Sequence, residues 1–296
     1  MQTAFSLPSF AKINWTLRIL GKRDDGFHDL FTVFQTISLH DTIHFAESDS
    51  LELTCDDANI PTDDSNLIIK AAKALQKMSG ADKGAAIHLE KRIPSPGGLG
   101  GGSSNAAVAL IGLTRLWNFD VSDGDLKAVA SMLGSDVPFF LRGGTAIGTG
   151  RGEIIEPLDN LDEQFILIVT PDVSVSTKEA FERINAATLT NEESNRILRV
   201  CRLEAESLDL RHSVLINDFS GTVFSEFPEI ERVKQTLLGL GAINAAMSGS
   251  GASVFAIFDK IETRQAAQNA LDKESTWDKF AVATISRSLY RETLFV

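Results

Sequence analysis

The chain has 296 residues, 43% of them hydrophobic and 23% charged, and 28 lysines and arginines stand against 40 aspartates and glutamates, a net charge of −12. This composition is typical of a globular protein long enough for two domains. The acidic balance argues against a nucleic-acid or anionic-membrane partner, because binding to phosphate groups needs a basic surface. The N-terminus lacks the pattern of a signal peptide, the apolar runs are too short to span a bilayer, and the two cysteines suggest neither a disulfide nor a zinc site. We therefore expect a cytoplasmic protein.

The first half of the chain mixes strand and helix patterns. Runs rich in β-branched and aromatic residues predict strands over 13–20, 31–39, 42–45, 51–55 and 87–90. Apolar residues at helical spacing predict helices over 66–78, from 103 onward and over 122–133.

An acidic, turn-rich stretch at 157–163 is the predicted domain boundary, which divides the chain into domains 1–157 and 158–296. Beyond it, the same patterns predict strands over 165–170, 253–258 and 280–285, and helices over 177–187, 191–205, 229–240 and 262–271. The mixture predicts an α+β fold.

The most informative segment is PSPGGLGGGSSNAA at 94–107, which has five glycines between 97 and 102. A strand is predicted before it and a helix after it, so backbone N–H groups would point at an anion at a helix N-terminus. A Walker A loop would need Lys directly after Gly102, and a dinucleotide-binding fingerprint would need Gly at 103, where this chain has Ser. The alternative is a flexible linker or hairpin turn. A second glycine-rich segment, GTGRG at 148–152, is similar to a phosphate loop, but its pattern favours a junction between strands.

Four segments, in order, resemble motifs of the GHMP kinases. They are SFAKINWTLRILGKRDDGFHDLFTVFQTISLHDTI at 9–43, the glycine-rich segment at 94–107, GSDVPFFL at 134–141 and AAMSGSGASVFAIF at 245–258. Within that superfamily, KIN, DGFH, GLGGGSSNAA and GSDVPFFL together are similar to the 4-diphosphocytidyl-2-C-methyl-D-erythritol kinases. The resemblance covers essentially the whole chain.

This resemblance implies a two-domain fold with an N-terminal domain like ribosomal protein S5 and a C-terminal ferredoxin-like α+β domain. It implies transfer of the γ-phosphate of ATP, with Mg²⁺, to the 2-hydroxyl of a cytidine diphosphate sugar alcohol in the non-mevalonate route to isoprenoids. The rival functions are another GHMP kinase acting on homoserine, a mevalonate derivative or a sugar, and an ATP-binding regulatory protein without catalysis. The chain would act as a monomer or homodimer on small molecules, with no nucleic acid and no membrane as partner.

The resemblance also implies roles for individual residues. Asp136 would be the general base, or would orient the hydroxyl, and Lys12 would be its partner; from the residues alone, they could equally be a turn cap and a solvated strand lysine. The substrate contacts would be Asn14, Phe27, His28, Gly249, Ser250 and Gly251. Phe27 stands where the family more often has Tyr, a change that keeps a ring for stacking on cytosine but loses a hydroxyl.

The implied ATP contacts are Pro96, Gly97, Gly98, Leu99, Gly100, Gly101, Gly102, Ser103, Ser104, Asn105, Asn66 and Lys91. No carboxylate is recognisable as a magnesium ligand, so the metal ligands are unknown and Ser104 is the only candidate.

Overall fold

A computed structural model describes residues 4–80, 83–184, 191–207, 209 and 213–295 of the chain. Two 19-residue antiparallel strands dominate its first sheet, β1 (Ala4–Lys22) and β2 (His28–Ala46). The predicted strands at 13–20 and 31–39 lie inside them. The separate strand predicted at 42–45 is wrong, because β2 runs on without a break through the buried Asp41.

The first sheet has six strands, in the order β3-β4-β2-β5-β6 with β1 paired to β2. Its other strands are β3 (Leu51–Cys55), β4 (Ala85–Glu90), β5 (Thr145–Gly150) and β6 (Ile154–Pro157). The helices of this half are α1 (Leu67–Ser79), α2 (Gly101–Leu116), α3 (Asp123–Leu133) and α4 (Val137–Phe140). Apolar side chains of the first three helices and of the sheet form one core.

The second sheet is antiparallel throughout, in the order β10-β7-β9-β8. Its strands are β7 (Phe165–Pro171), β8 (Asn244–Met247), β9 (Val254–Phe258) and β10 (Trp277–Ala283). The helices are α5 (Thr177–Arg183), α6 (Asn191–Glu206), α7 (Ser220–Glu226), α8 (Pro228–Gly239), α9 (Ile261–Ala270) and α10 (Arg287–Leu294). The sequence patterns missed β8, α7 and α10. The helix predicted at 177–187 ends at Arg183, and its last three positions lie outside the described residues.

The alternation of β1 determines which side chains reach the space beside the glycine-rich segment. Ile13 and Trp15 point into a core shared with the second sheet, where Phe255 meets the Trp15 ring at 5.3 Å. Because successive strand residues point to opposite faces, Lys12 and Asn14 point the other way. The β1–β2 register shifts on either side of this pair, between Phe10 and Lys12 and again after Asn14. Such irregularities commonly re-aim side chains at functional sites.

The two halves of the chain are joined by more than the linker between β6 and β7. The buried Tyr290 of α10 packs in the core of the first sheet, and its hydroxyl donates to the carbonyl of Phe140 at 2.6 Å. A domain boundary between residues 157 and 158 stays a prediction. No helix among the described ranges is both long and apolar enough to cross a membrane.

Candidate active site

A cavity of about 920 Å³ lies where the glycine-rich segment, the β1–β2 hairpin and the second half of the chain meet. Most of the residues that the sequence singled out line it. They are Lys12, Asn14, Phe27, His28, Pro96, Gly97, Gly98, Leu99, Gly100, Gly101, Gly102, Ser103, Asp136, Gly249 and Ser250. The structure therefore brings three distant motifs to one concave surface, the usual form of a small-molecule site.

The glycine-rich segment lies against a second glycine loop, 248–251. Gly98 has a φ of +70°, and a Cβ on it would lie 2.1 Å from the carbonyl oxygen of Ser248. Its own carbonyl accepts hydrogen bonds from the Ser248 hydroxyl at 2.9 Å and from Lys12 Nζ at 3.0 Å. Glycine is required here both by the left-handed backbone and by the close approach of the two loops.

Helix α2 begins at Gly101 directly after this loop, with no side chain capping its first turn. Residues 100–103 line the cavity, so the helix opens with its N-terminus towards it. The first N–H groups of a helix lack partners within the helix and carry a partial positive charge, which suits a phosphate group. This geometry matches the phosphate-binding loop that the sequence predicts.

Lys12 and Asp136 form an ion pair in the cavity wall, with 3.5 Å between Nζ and Oδ2. The lysine is buried, whereas 31% of the Asp136 side chain is exposed. Lys12 also donates to Asn14 Oδ1 at 2.6 Å, in addition to its bond to Gly98. The ammonium therefore links the carboxylate to the glycine loop and holds both in one arrangement.

The orientation of Asn14 follows from a chain of hydrogen bonds. Its Nδ2 donates to the Thr32 hydroxyl at 2.7 Å, and that hydroxyl donates to the carbonyl of Thr16 at 2.7 Å. The hydroxyl must therefore accept from Asn14, which leaves the amide oxygen facing Lys12. Thr32 was not singled out from the sequence. A direct contact from Asn14 to substrate stays a prediction. The second N–H of its amide could make that contact.

Aromatic rings line the opposite end of the cavity. Phe27 is 52% exposed, and His28 stacks on Phe181 of α5 with 5.4 Å between ring centroids and 20° between planes. Burial, with a smaller effect from Lys22, lowers the pKa of His28, so the ring is neutral at pH 7. The sequence patterns missed Phe181, because nothing in its neighbourhood marks it apart from an ordinary apolar helix residue.

Five predicted site residues do not line the cavity: Asn66, Lys91, Ser104, Asn105 and Gly251. The Asn66 side chain caps α1 by accepting from the N–H of Ile68 at 2.8 Å. The hydroxyl of the fully buried Ser104 accepts from Ser9 at 2.8 Å instead of facing the cavity. The contacts that were predicted for these residues with ATP, substrate or metal stay predictions.

Lys91 and Asn105 belong to a buried polar group centred on Asp41, which the sequence analysis did not identify. The Asp41 carboxylate accepts from Lys91 Nζ at 3.0 Å, from Asn105 Nδ2 at 3.0 Å and from the backbone N–H groups of Arg92 and Ile93 at 2.7 and 2.8 Å. It thus ties the chain just before the glycine loop to the first turns of α2 just after it. A buried carboxylate with several donors is stable only while those donors remain.

We predict that Asp41→Asn lowers the free energy of unfolding by about 3–5 kcal/mol, because it leaves the Lys91 ammonium buried without its counter-charge. It should also raise KM for ATP more than KM for the second substrate, since it loosens both ends of the glycine loop. Denaturant unfolding and steady-state kinetics measure the two effects. Adding Lys91→Met to this variant should recover part of the stability. If Asp41→Asn alone were as stable as the parent, this role of Asp41 would be contradicted.

The pKa of Lys12 is lowered from its ordinary value of 10.5, chiefly because burial removes the ammonium from water, while Asp136 opposes the shift. Since the charged form holds the ion pair, we predict that kcat falls as pH rises through this lowered pKa, below pH 10.5. The free energy of unfolding should not fall in that window. Because the pKa of Lys12 is lower in the folded than in the unfolded chain, the unfolded chain binds more protons there and the free energy of unfolding rises with pH. Replacing Asp136 by Asn should move the alkaline limb of the residual activity to lower pH. Profiles from about pH 7 to pH 10.5 test this, and an unmoved limb would contradict it.

Comparison with known proteins gives a consistent result over nearly the whole chain. A family model described as the GHMP kinases N terminal domain matches residues 66–144, and one described as GHMP kinases C terminal matches residues 188–275. The 4-diphosphocytidyl-2-C-methyl-D-erythritol kinase of Chlorobium phaeobacteroides (strain BS1) is 42% identical over 267 residues, which are 90% of this chain and 92% of the relative. The enzyme of the same name from Thermoanaerobacter pseudethanolicus is 35% identical over 95% of this chain and 96% of its own length.

Solved structures agree with the sequence comparisons. A crystal structure of 4-(cytidine 5'-diphospho)-2C-methyl-D-erythritol kinase superposes with a TM-score of 0.76 at 31% identity, covering 95% of this chain and 99% of that one. A homoserine kinase from Cytophaga hutchinsonii, at 19% identity and a TM-score of 0.69 over 97% and 96% of the two chains, shares the fold. The two-domain α+β fold predicted from the sequence is therefore confirmed. The chain belongs to the GHMP kinases and, among these ATP-dependent kinases, to the 4-diphosphocytidyl-2-C-methyl-D-erythritol kinase family.

Proposed function

We propose that the chain transfers the γ-phosphate of ATP to the 2-hydroxyl of 4-diphosphocytidyl-2-C-methyl-D-erythritol, giving the 2-phosphate and ADP in the non-mevalonate route to isopentenyl diphosphate. The observation that carries this proposal is the single cavity that holds a phosphate-binding loop, the Lys12–Asp136 pair and an aromatic end. The family relationship supports this reaction, and the cavity supports it with groups suited to the phosphates of ATP, the reacting hydroxyl and the nucleobase.

ATP would place its phosphates on the glycine loop. The N-terminus of α2 and the backbone of residues 97–103 offer N–H groups to the β- and γ-phosphates. The proposed ATP contacts are the cavity-lining members of the predicted set, Pro96, Gly97, Gly98, Leu99, Gly100, Gly101, Gly102 and Ser103. The buried Ser104 and Asn105, and Lys91 with its carboxylate partner, would support this loop from behind.

In the proposed reaction, the substrate hydroxyl oxygen forms a bond to the γ-phosphorus while the bond to the β–γ bridging oxygen breaks. The hydroxyl proton passes to the Asp136 carboxylate, whose exposed face lies in the cavity. Lys12 pairs with this carboxylate and places a positive charge beside the transferring group. Since its other donor contacts are Asn14 and Gly98, the ammonium is held in place before substrate arrives.

The aromatic end would bind the cytosine. Phe27 keeps the exposed ring face that stacking needs although it lacks the hydroxyl of a tyrosine, and Phe181 adds a second ring nearby. A neutral His28 has one donor and one acceptor nitrogen with which to recognise the edge of a base. Gly249 and Ser250 also line the cavity, where Gly249 lies beside Gly98 and the Ser250 hydroxyl is 2.8 Å from that of Thr177 on α5.

Magnesium would accompany ATP. Over the described parts of the chain, no group of three or more His, Cys, Asp or Glu side chains could hold a metal ion. That suits Mg²⁺, which is usually bound through one or two protein oxygens, substrate phosphates and water. Of the two serines at the start of α2, Ser103 lines the cavity and Ser104 is fully buried, so Ser103 replaces Ser104 as the hydroxyl we propose. The ion would neutralise charge on the β- and γ-phosphates.

ADP release by the purified protein with Mg-ATP and 4-diphosphocytidyl-2-C-methyl-D-erythritol tests the proposal directly. Substrate-dependent turnover that Asp136→Asn and Lys12→Met both reduce by about 10² or more is the expected result. Homoserine, mevalonate and galactose belong in the same assay as competing acceptors. Turnover with one of these and not with the cytidine compound would replace the proposed substrate, and ATP binding without turnover on any of them would favour a regulatory role.

A further inference from the structure

The hairpin turn between β5 and β6 brings an arginine into the cavity that the proposed reaction does not yet use. This turn is the second glycine-rich segment, GTGRG at 148–152, so the predicted strand junction is what the structure shows. Gly150 and Gly152 both have positive φ, +68° and +109°, which makes the turn tight. Arg151 stands between them and lines the cavity.

Arg151 lies between the two ends of the cavity. Its guanidinium carbon is 4.9 Å from the centroid of the Phe27 ring, at the aromatic end. On the other side, a Cβ on its neighbour Gly152 would lie 3.8 Å from Oδ1 of Asp136. The turn that carries Arg151 therefore lies close both to the proposed nucleobase end and to the reacting end.

The guanidinium is arranged to receive an anion. The nearest carboxylate that pairs with it among the described residues is Glu153, whose Oε1 lies 3.7 Å from Nε, beyond the range of a good hydrogen bond. The guanidinium lies over the ring of Phe27, and 31% of the Arg151 side chain is exposed. The donors at its end are therefore oriented but not tied to a close carboxylate partner.

The proposed substrate carries a nucleobase, then a diphosphate, then the polyol with the reacting hydroxyl. On a protein of net charge −12, a diphosphate needs a local cation. Of the other cations that line the cavity, Lys12 is paired with Asp136, the side chain of Lys178 is 85% exposed, and Lys22 is exposed and pairs with His28 in the β1–β2 ladder, at the aromatic end. Arginine is also suited to binding two phosphate oxygens at once.

We propose that Arg151 binds the diphosphate of the cytidine-containing substrate and thereby sets the distance between the stacked base and the reacting hydroxyl. This inference rests on the proposed function, because that substrate carries the diphosphate. Arg151 is then a residue that determines specificity for cytidine diphosphate compounds over cytidine itself.

The test compares Arg151→Gln and Arg151→Lys with the parent in four quantities: KM for ATP, KM for the cytidine substrate, and the calorimetric Kd for CDP and for cytidine. Arg151→Gln should raise the Kd for CDP by about 10- to 100-fold, as expected for lost hydrogen bonds to a charged group. The Kd for cytidine and the KM for ATP should stay within about twofold of the parent values. Arg151→Lys should fall in between, because it keeps the charge but loses the two-pronged geometry. The matched control is Arg115→Gln, which removes a guanidinium stacked at 4.6 Å on Phe5 outside the cavity and should change none of these values.

Each outcome decides the point. Equal losses of affinity for CDP and for cytidine would mean that Arg151 only supports the Phe27 ring. A rise in KM for ATP alone would place Arg151 at the glycine loop instead. Either result overturns the proposal, and so would unchanged affinity for CDP. Turnover by the parent protein shows separately whether the proposed reaction itself is wrong. If the parent shows no turnover with the cytidine substrate, the reaction is wrong whatever the variants do, whereas normal turnover with an unchanged preference for CDP over cytidine sinks this inference alone.

Discussion

Asp136→Asn is expected to reduce kcat by about 10²–10⁴ with KM for ATP nearly unchanged, because an amide cannot accept the proton of the attacking hydroxyl. The residue is suited to that role by position. It directly precedes the short α4, which the Tyr290 hydroxyl holds through the carbonyl of Phe140, and its side chain is only partly buried in the cavity wall. The amide keeps the shape of the side chain, so the protein should fold as before. Rapid-quench measurement of a single turnover isolates the chemical step from product release.

A matched control is Glu229→Gln, which neutralises a carboxylate paired with Arg232 on α8, outside the residues that line the cavity. It should leave kcat unchanged. A loss below about tenfold in Asp136→Asn would mean that the carboxylate orients the hydroxyl without accepting its proton, since phosphoryl transfer has a loose transition state in which little proton abstraction is needed.

Gly98→Ala is expected to lower the free energy of unfolding by roughly 2–5 kcal/mol and to raise KM for ATP strongly. This loss of stability has two contributions. A left-handed backbone costs about 1–2 kcal/mol for a residue with a Cβ, and forcing atoms into a packed contact costs about 1–3 kcal/mol. The Cβ would lie 2.1 Å from the Ser248 carbonyl, a backbone atom that cannot swing aside. Either the glycine loop or the 248–251 loop must move, and the loop also carries the carbonyl that accepts from Lys12.

Gly221→Ala is the comparison for this effect, because Gly221 lies in α7 with open space where its Cβ would be. It should be neutral or slightly stabilising, since alanine is the better helix former. Thermal unfolding with and without Mg-ATP measures both variants. If Gly98→Ala were as stable as the parent and bound ATP equally well, the close approach of the two loops would be unimportant for the site.

The candidate site was partly visible in the sequence because its signals are local. A run of glycines between a strand and a helix predicts an anion site wherever it occurs, and the structure places that run on the wall of the cavity at the start of α2. Family motifs supplied Lys12, Asp136 and the DGFH turn in the same way, each from a few neighbouring residues. These local patterns also predicted most helices to within a few residues, because apolar spacing reflects which face of a helix is buried.

Other features depended on contacts between residues far apart in the chain. Phe181 and Arg151 reach the cavity only because α5 and the β5–β6 turn are packed beside the hairpin. No short pattern marks Phe181, and the GTGRG pattern around Arg151 favours only a junction between strands. Likewise, Ser104 looks equivalent to Ser103 in the sequence, yet one turns inward to Ser9 and the other faces the cavity. A helix presents successive residues on different faces, so only the packing of α2 decides which hydroxyl is available.

The sequence by itself determined the α+β class and, through family resemblance, the kind of kinase, whereas phosphate binding by the glycine loop and the roles of Lys12 and Asp136 stay predictions. Only the tertiary structure decided which predicted residues share the cavity and which support it from behind. Asp41 shows the physical reason. As a lone carboxylate in a strand it suggests nothing, but once buried it must be matched by donors, and those donors come from both ends of the glycine loop. Burial and pairing are properties of the folded chain, and they give the same residue type a different role at each position.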